Sequence, residues 1–136
     1  MKRLIIAIGL GICVAGPAYA QQCLHGSDET PEQQARRRQA VTAARVVNTI
    51  QANQPGSAAK KYLRHDELAA SSGSKQRDSL PSFNFAPGQD VLPGWELKLE
   101  VTEDGYWFMI KDKTDPCGFA YVSNARGVIY GAEPIR

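Results

Sequence analysis

The segment from Gly94 to Gly131 constrains the fold of this chain more than any other. Trp95, Leu97, Leu99 and Val101 alternate with Glu96, Lys98, Glu100 and Thr102, the period of two that marks a half-buried strand. Glu103-Asp104-Gly105 follows as a hairpin turn whose glycine is free to take a positive φ. Tyr106 to Lys111 is a second strand, apolar on both sides, with Tyr106, Phe108 and Ile110 opposite Trp107 and Met109. After a loop from Asp112 to Pro116, Gly118 to Ser123 forms a third strand. Asn124-Ala125-Arg126-Gly127 then turns the chain into Val128-Ile129-Tyr130, the fourth. Four short strands joined by turns imply one antiparallel sheet, and a sheet with an apolar face needs a cover.

The preceding residues supply that cover. Thr30-Pro31-Glu32-Gln33 is a helix start: Thr30 caps, Pro31 suits the first helical position and Gln33 completes a capping box. No Gly or Pro interrupts the chain before Pro55-Gly56, so one long helix runs to about Asn53. Ala40, Ala43, Ala44, Val47 and Ile50 recur at helical spacing and mark a small-residue face that lies close on a sheet. Arg36, Arg37, Arg38 and Arg45 project largely to solvent. Ala58 to Tyr62 reads as a short helical turn, and His65 to Ala70 as a second short helix capped by His65 or Asp66. Residues 71–76 read as a flexible loop. Residues 78–93 hold three prolines and read as extended loop pinned by Phe83, Phe85, Val91 and Leu92. The expected fold is α+β, one long N-terminal helix packed on a four-stranded antiparallel sheet.

The first twenty residues stand apart. Lys2 and Arg3 precede an unbroken apolar run, Leu4 to Gly16, and Pro17-Ala18-Tyr19-Ala20 ends in a small-x-small pattern. This is the signature of a secretory signal peptide cut after Ala20. The run is too short to span a bilayer comfortably, so the expected product is one secreted or periplasmic domain, residues 21–136, that does not span a membrane. Losing Lys2 and Arg3 leaves 14 basic residues against 14 acidic ones. The charge is uneven, with a basic helical half and an acidic sheet half. There is no global excess of the kind a dedicated nucleic-acid binder carries. Of three cysteines, Cys23 and Cys117 remain after cleavage. In an oxidising compartment an even pair reads as a disulfide, with two free thiols or an intermolecular bridge as the alternatives.

No metal site, cofactor motif or nucleophile–base pair is legible. The histidines are His25 and His65, and no CxxC occurs. His65 beside Asp66 and Glu67 has no nucleophile near it in sequence, and Asp112, Asp115, Glu100 and His25 share no spacing that compels a site. The chain therefore reads as a non-enzyme. Two candidate binding surfaces emerge. One is the second face of the sheet, with Trp107 and Met109, which the loop of residues 78–93 would cover if it folded across them. The other is the run Arg36, Arg37, Arg38, which belongs either to a solvated helix face or to a patch for anionic partners.

The order of elements resembles the soluble globular half of type IV pilins and pseudopilins. Three stretches carry the resemblance: Asn48-Thr49-Ile50-Gln51-Ala52 followed by Tyr62 and Glu67-Leu68; Asp104-Gly105-Tyr106-Trp107-Phe108; and Asp115-Pro116-Cys117-Gly118-Phe119 with Ser123 to Tyr130. They cover roughly residues 34–136. The resemblance implies an antiparallel sheet wrapped on the end of a long helix. A prepilin carries a basic leader ending in glycine, then an apolar helix with glutamate at its fifth position. This chain has no such glutamate in its apolar run and carries a signal-peptidase site instead, so what carries over is the fold and not filament assembly. The expected function is a non-catalytic binding or structural module whose partner is an envelope or secretion-system protein. The alternatives are an inhibitor of a secreted hydrolase, or a protein that binds anionic surfaces or DNA as some minor pilins do.

Overall fold

The computed structural model describes residues 23, 26, 29–54, 62–75 and 83–133, with only the backbone from 72 to 75. The proposed leader (1–20), His25, the turn at 58–61 and residues 76–82 lie outside them.

Helix α1 spans Pro31–Ala52 and begins on the anticipated capping box. Gln33 N–H donates to Thr30 Oγ1 at 3.3 Å, and Thr30 N–H donates to Gln33 Oε1 at 2.7 Å. These two bonds satisfy backbone donors that a helix start leaves orphaned. Ala40, Ala43, Ala44 and Val47 are fully buried; Val46 and Gln51 join them, while Ile50 is half-buried. Helix α2 runs over His65–Lys75, five residues beyond the expected end and straight through Ser71-Ser72-Gly73. Tertiary packing overrides weak helix propensity here, because Leu68 is fully buried in the common core. The cap also differs from expectation: Glu67 Oε2 accepts the Arg64 N–H at 2.8 Å, so Arg64 precedes the first turn.

The sheet has five strands, not four: β1 Asp90–Leu92, β2 Trp95–Val101, β3 Tyr106–Asp112, β4 Ala120–Asn124 and β5 Tyr130–Ala132. It is a plain antiparallel meander in that order. The extra strand comes from the segment read as loop. Pro93 and Gly94 form a two-residue turn between Leu92 and Trp95, and Gly94 sits at φ +81°, a conformation that glycine supplies cheaply. A Cβ at Gly94 would also stand 3.0 Å from the Arg36 guanidinium and from Thr114 Cγ2. In the β2–β3 hairpin, by contrast, Gly105 is not among the residues with positive φ. That turn closes through Thr102 N–H donating to Gly105 O at 2.9 Å.

Helix α1 lies across one face of the sheet and meets both β1 and β4. The inner residues Trp95, Leu97, Tyr106, Phe108, Ile110 and Tyr121 pack with the helix alanines and valines into one core. Phe85, Val91 and Leu92 enter the same core, so this part of the 78–93 segment pins the helix side as expected. Cys23 and Cys117 are joined by a disulfide with Cα atoms 5.2 Å apart, tying the N-terminal segment to the loop ahead of β4. A bridge closing a loop of 94 residues stabilises the fold by roughly 4–5 kcal/mol in the chain-entropy account.

Candidate functional site

The sheet's outer face carries the first candidate surface. Residue pairing fixes its rows: Glu100, Trp107 and Asn124 align across β2, β3 and β4, and Lys98, Met109, Val122 and Tyr130 align from β2 to β5. A third row holds Glu96, Lys111, Ala120 and Ala132. An apolar diagonal of Trp107, Met109, Val122 and Tyr130 therefore crosses this face, with charged residues on its β2 side. Trp107 is 46% exposed and Tyr130 is 55% exposed, while Met109 and Val122 are half-buried. Tyr130 adds an exposed ring to the row of Met109 and Val122, next to the row of Trp107; only the β4–β5 register brings it onto this face. The described part of the 78–93 segment packs its aromatic residues toward the helix and leaves Trp107 open.

The arginine run divides. At the β3 end of the helix, Arg36 reaches across to Thr114, with Nη2 at 3.3 Å from Oγ1 and 3.6 Å from Asp112 Oδ1. Asp112 in turn accepts hydrogen bonds from the Thr114 backbone N–H at 2.9 Å and hydroxyl at 2.7 Å. Arg37 pairs with the buried carboxylate of Glu29 at 2.8 Å and lies over the Phe119 ring. Arg36 and Arg37 are thus half-buried tethers rather than solvent-projecting charges, and Arg38 alone of the three is exposed. Arg37 and Arg38 border an open groove of about 600 Å³ with Gln34, Val41, Thr42, Arg45 and Tyr121.

The other end of the helix carries a polar cluster. Tyr106 Oη donates to Asn48 Oδ1 at 2.8 Å, and Asn48 Nδ2 donates to Ser123 Oγ at 3.0 Å and to the Gly127 carbonyl at 3.1 Å. Burial raises the Tyr106 pKa above the ordinary phenol value, and Tyr62 adds to that rise. One turn further on, the fully buried Gln51 bonds both ways to Leu63, donating to its carbonyl at 2.8 Å and accepting its N–H at 2.9 Å. These groups satisfy one another, which is what a helix–sheet clamp requires.

Asp112 and Asp115 line one small pocket together with Arg36 and Arg37, but each is already bonded, and Glu100 is not among the lining residues. Glu100 lies on the outer face, whereas Asp112 is committed to Thr114 and Arg36, and Asp115 Oδ1 accepts the Cys117 N–H at 2.8 Å. His65 heads α2 with Nε2 buried and without a hydrogen bond. Burial lowers its pKa, and Asp66 partly offsets the effect. Among the described residues no group of three His, Cys, Asp or Glu side chains stands close enough to hold a metal ion, and no helix is long and apolar enough to cross a membrane.

The fold and surfaces thus define an α+β unit with a helix clamped over one side of a five-stranded meander and an aromatic face left on the other. In comparisons with known proteins, no family model, curated protein or solved structure matches the chain.

Proposed function

We propose that the chain is a secreted or periplasmic, pilin-like binding module without chemistry of its own, released by cleavage after Ala20. It docks onto a protein of the envelope or secretion apparatus through the outer sheet face. The observation that carries this reading is the exposed diagonal from Trp107 on the central strand β3 to Tyr130 on the edge strand β5. Tryptophan and tyrosine dominate the energetics of protein interfaces because they bury large area at low entropic cost. An isolated exposed apolar residue means little, but an aligned group rimmed by charge marks a contact surface. The rim is mixed in sign, with Glu96 and Glu100 beside Lys98 and Lys111, so the partner surface is apolar at its centre and carries both charges at its edge.

A photo-reactive amino acid at position 107 tests the reading in cells that produce the protein. It is expected to form one dominant protein adduct that is missing when the same group is placed at Glu103, in the exposed β2–β3 turn. Adducts of equal yield at both positions, or none at 107, would sink the proposal.

A further inference from the structure

The groove beside α1 has a charge pattern that the outer face lacks. Arg38 and Arg45 are seven residues apart on one helix, so they point to nearly the same side about 10 Å apart along the axis. Both are exposed, and among the described residues neither guanidinium has an ion pair or hydrogen bond. Arg37, the third arginine of the groove, is neutralised by Glu29 at 2.8 Å. No described carboxylate lines the groove, which Gln34, Val41, Thr42 and Tyr121 complete. The Tyr121 hydroxyl likewise has no hydrogen-bond partner among the described residues. Its ring is fixed between Trp95, with centroids 6.1 Å apart, and Phe119 at 5.0 Å. The groove therefore presents two uncompensated positive charges and a phenolic donor on rigid elements.

We infer that this groove binds a phosphate group carrying two negative charges, held by the guanidiniums of Arg38 and Arg45 with Tyr121 as an additional donor. Two arginines match that charge, because a phosphomonoester carries about −1.5 to −2 at neutral pH, and the guanidinium fork fits phosphate oxygens two at a time. The volume of about 600 Å³ falls within the range of small-molecule sites. The phosphate belongs either to a free small molecule or to a lipid headgroup. The site is independent of the outer-face reading, since none of its residues lies on that face.

Calorimetric titration of the purified protein with inorganic pyrophosphate at low ionic strength addresses the free ligand. Flotation with phosphatidylcholine vesicles, with and without phosphatidic acid, addresses the lipid. Saturable binding is expected in at least one arm. Pyrophosphate binding without flotation assigns a free ligand, and flotation that depends on phosphatidic acid assigns a headgroup. Arg38→Ala and Arg45→Ala are each expected to weaken the positive arm about tenfold, while Arg126→Ala, on the exposed β4–β5 turn, leaves it unchanged. No binding in either arm, or a double Arg38→Ala/Arg45→Ala variant that binds like the unaltered protein, overturns the inference. Both arginines are exposed, so their loss does not threaten folding.

Discussion

Phe108 and Trp107 are neighbours in the chain and opposites in environment. Phe108 is fully buried beneath α1, while Trp107 on the reverse face is 46% exposed. The inner face is covered: its apolar residues form one core with the helix, and its polar atoms at Asn48, Tyr106 and Ser123 bond to one another. The outer face carries Trp107, Met109, Val122 and Tyr130, and neither described helix lies over it. A strand that is apolar on both sides therefore need not be a doubly covered strand. The second apolar side is where a partner is expected.

Truncating one side chain on each face separates their two environments. Phe108→Ala is expected to destabilise by about 3–5 kcal/mol, the usual cost of emptying an aromatic core site. Trp107→Ala should stay within about 0.5 kcal/mol, the range for surface changes. Denaturant unfolding of both variants measures the difference, and equal losses would remove the distinction between the faces. Next in size is the clamp. Asn48→Ala leaves the Tyr106 hydroxyl and Ser123 without their partner and is expected to cost about 1–3 kcal/mol by the same measurement.

Much of this architecture is legible in the sequence, for physical reasons that differ by element. Helix α1 and strands β2 and β3 announce themselves through the Thr30–Gln33 box and the alternation from Trp95 onward, because their signals are local. Strand β1 is invisible because the four residues between Pro87-Gly88 and Pro93-Gly94 are too few to show a period, and pairing with β2 alone makes Asp90–Leu92 a strand. The extension of α2 through Gly73 is hidden for a related reason: Leu68, buried in the core shared with α1, holds the helix in place where Ser and Gly do not favour it. The division of the arginine run is non-local as well. Arg36 finds Thr114 at a separation of 78 residues and Asn48 finds Ser123 at 75, distances over which no pattern in the chain reports contact. Of the candidate surfaces, Trp107 and Met109 were readable from alternation, whereas Tyr130 and the groove of Arg38 and Arg45 required the fold.

Titration sharpens the contrast further. The fold raises the Tyr106 pKa, so it favours the neutral phenol. That contribution is complete below the ordinary phenol value of about 10 and is lost as pH climbs through the higher folded value. Thermal melts should therefore fall in the alkaline range, and Tyr106→Phe should flatten that fall while lowering Tm at pH 8. The opposite sign holds for His65, whose pKa the fold lowers. Its contribution is present above about pH 6.5 and is lost as pH drops through the depressed value, so His65→Gln should flatten the acid limb of the same profile. The smallest effect belongs to the sheet edge. Lys113 and Asp90 pair at 2.5 Å with both side chains partly exposed, and Lys113→Ala should leave the melting temperature at neutral pH unchanged within error, because screening and side-chain entropy cancel such pairs.

The face bearing Trp107 is open in the protein alone, and under the proposed function it is covered where the protein works. Hydroxyl-radical footprinting of Trp107, read against buried Trp95 as an internal reference, measures this directly. Strong oxidation of Trp107 and weak oxidation of Trp95 are expected in the purified protein, with Trp107 becoming protected in intact cells that secrete it. Equal oxidation of Trp107 in both settings would contradict the proposed function.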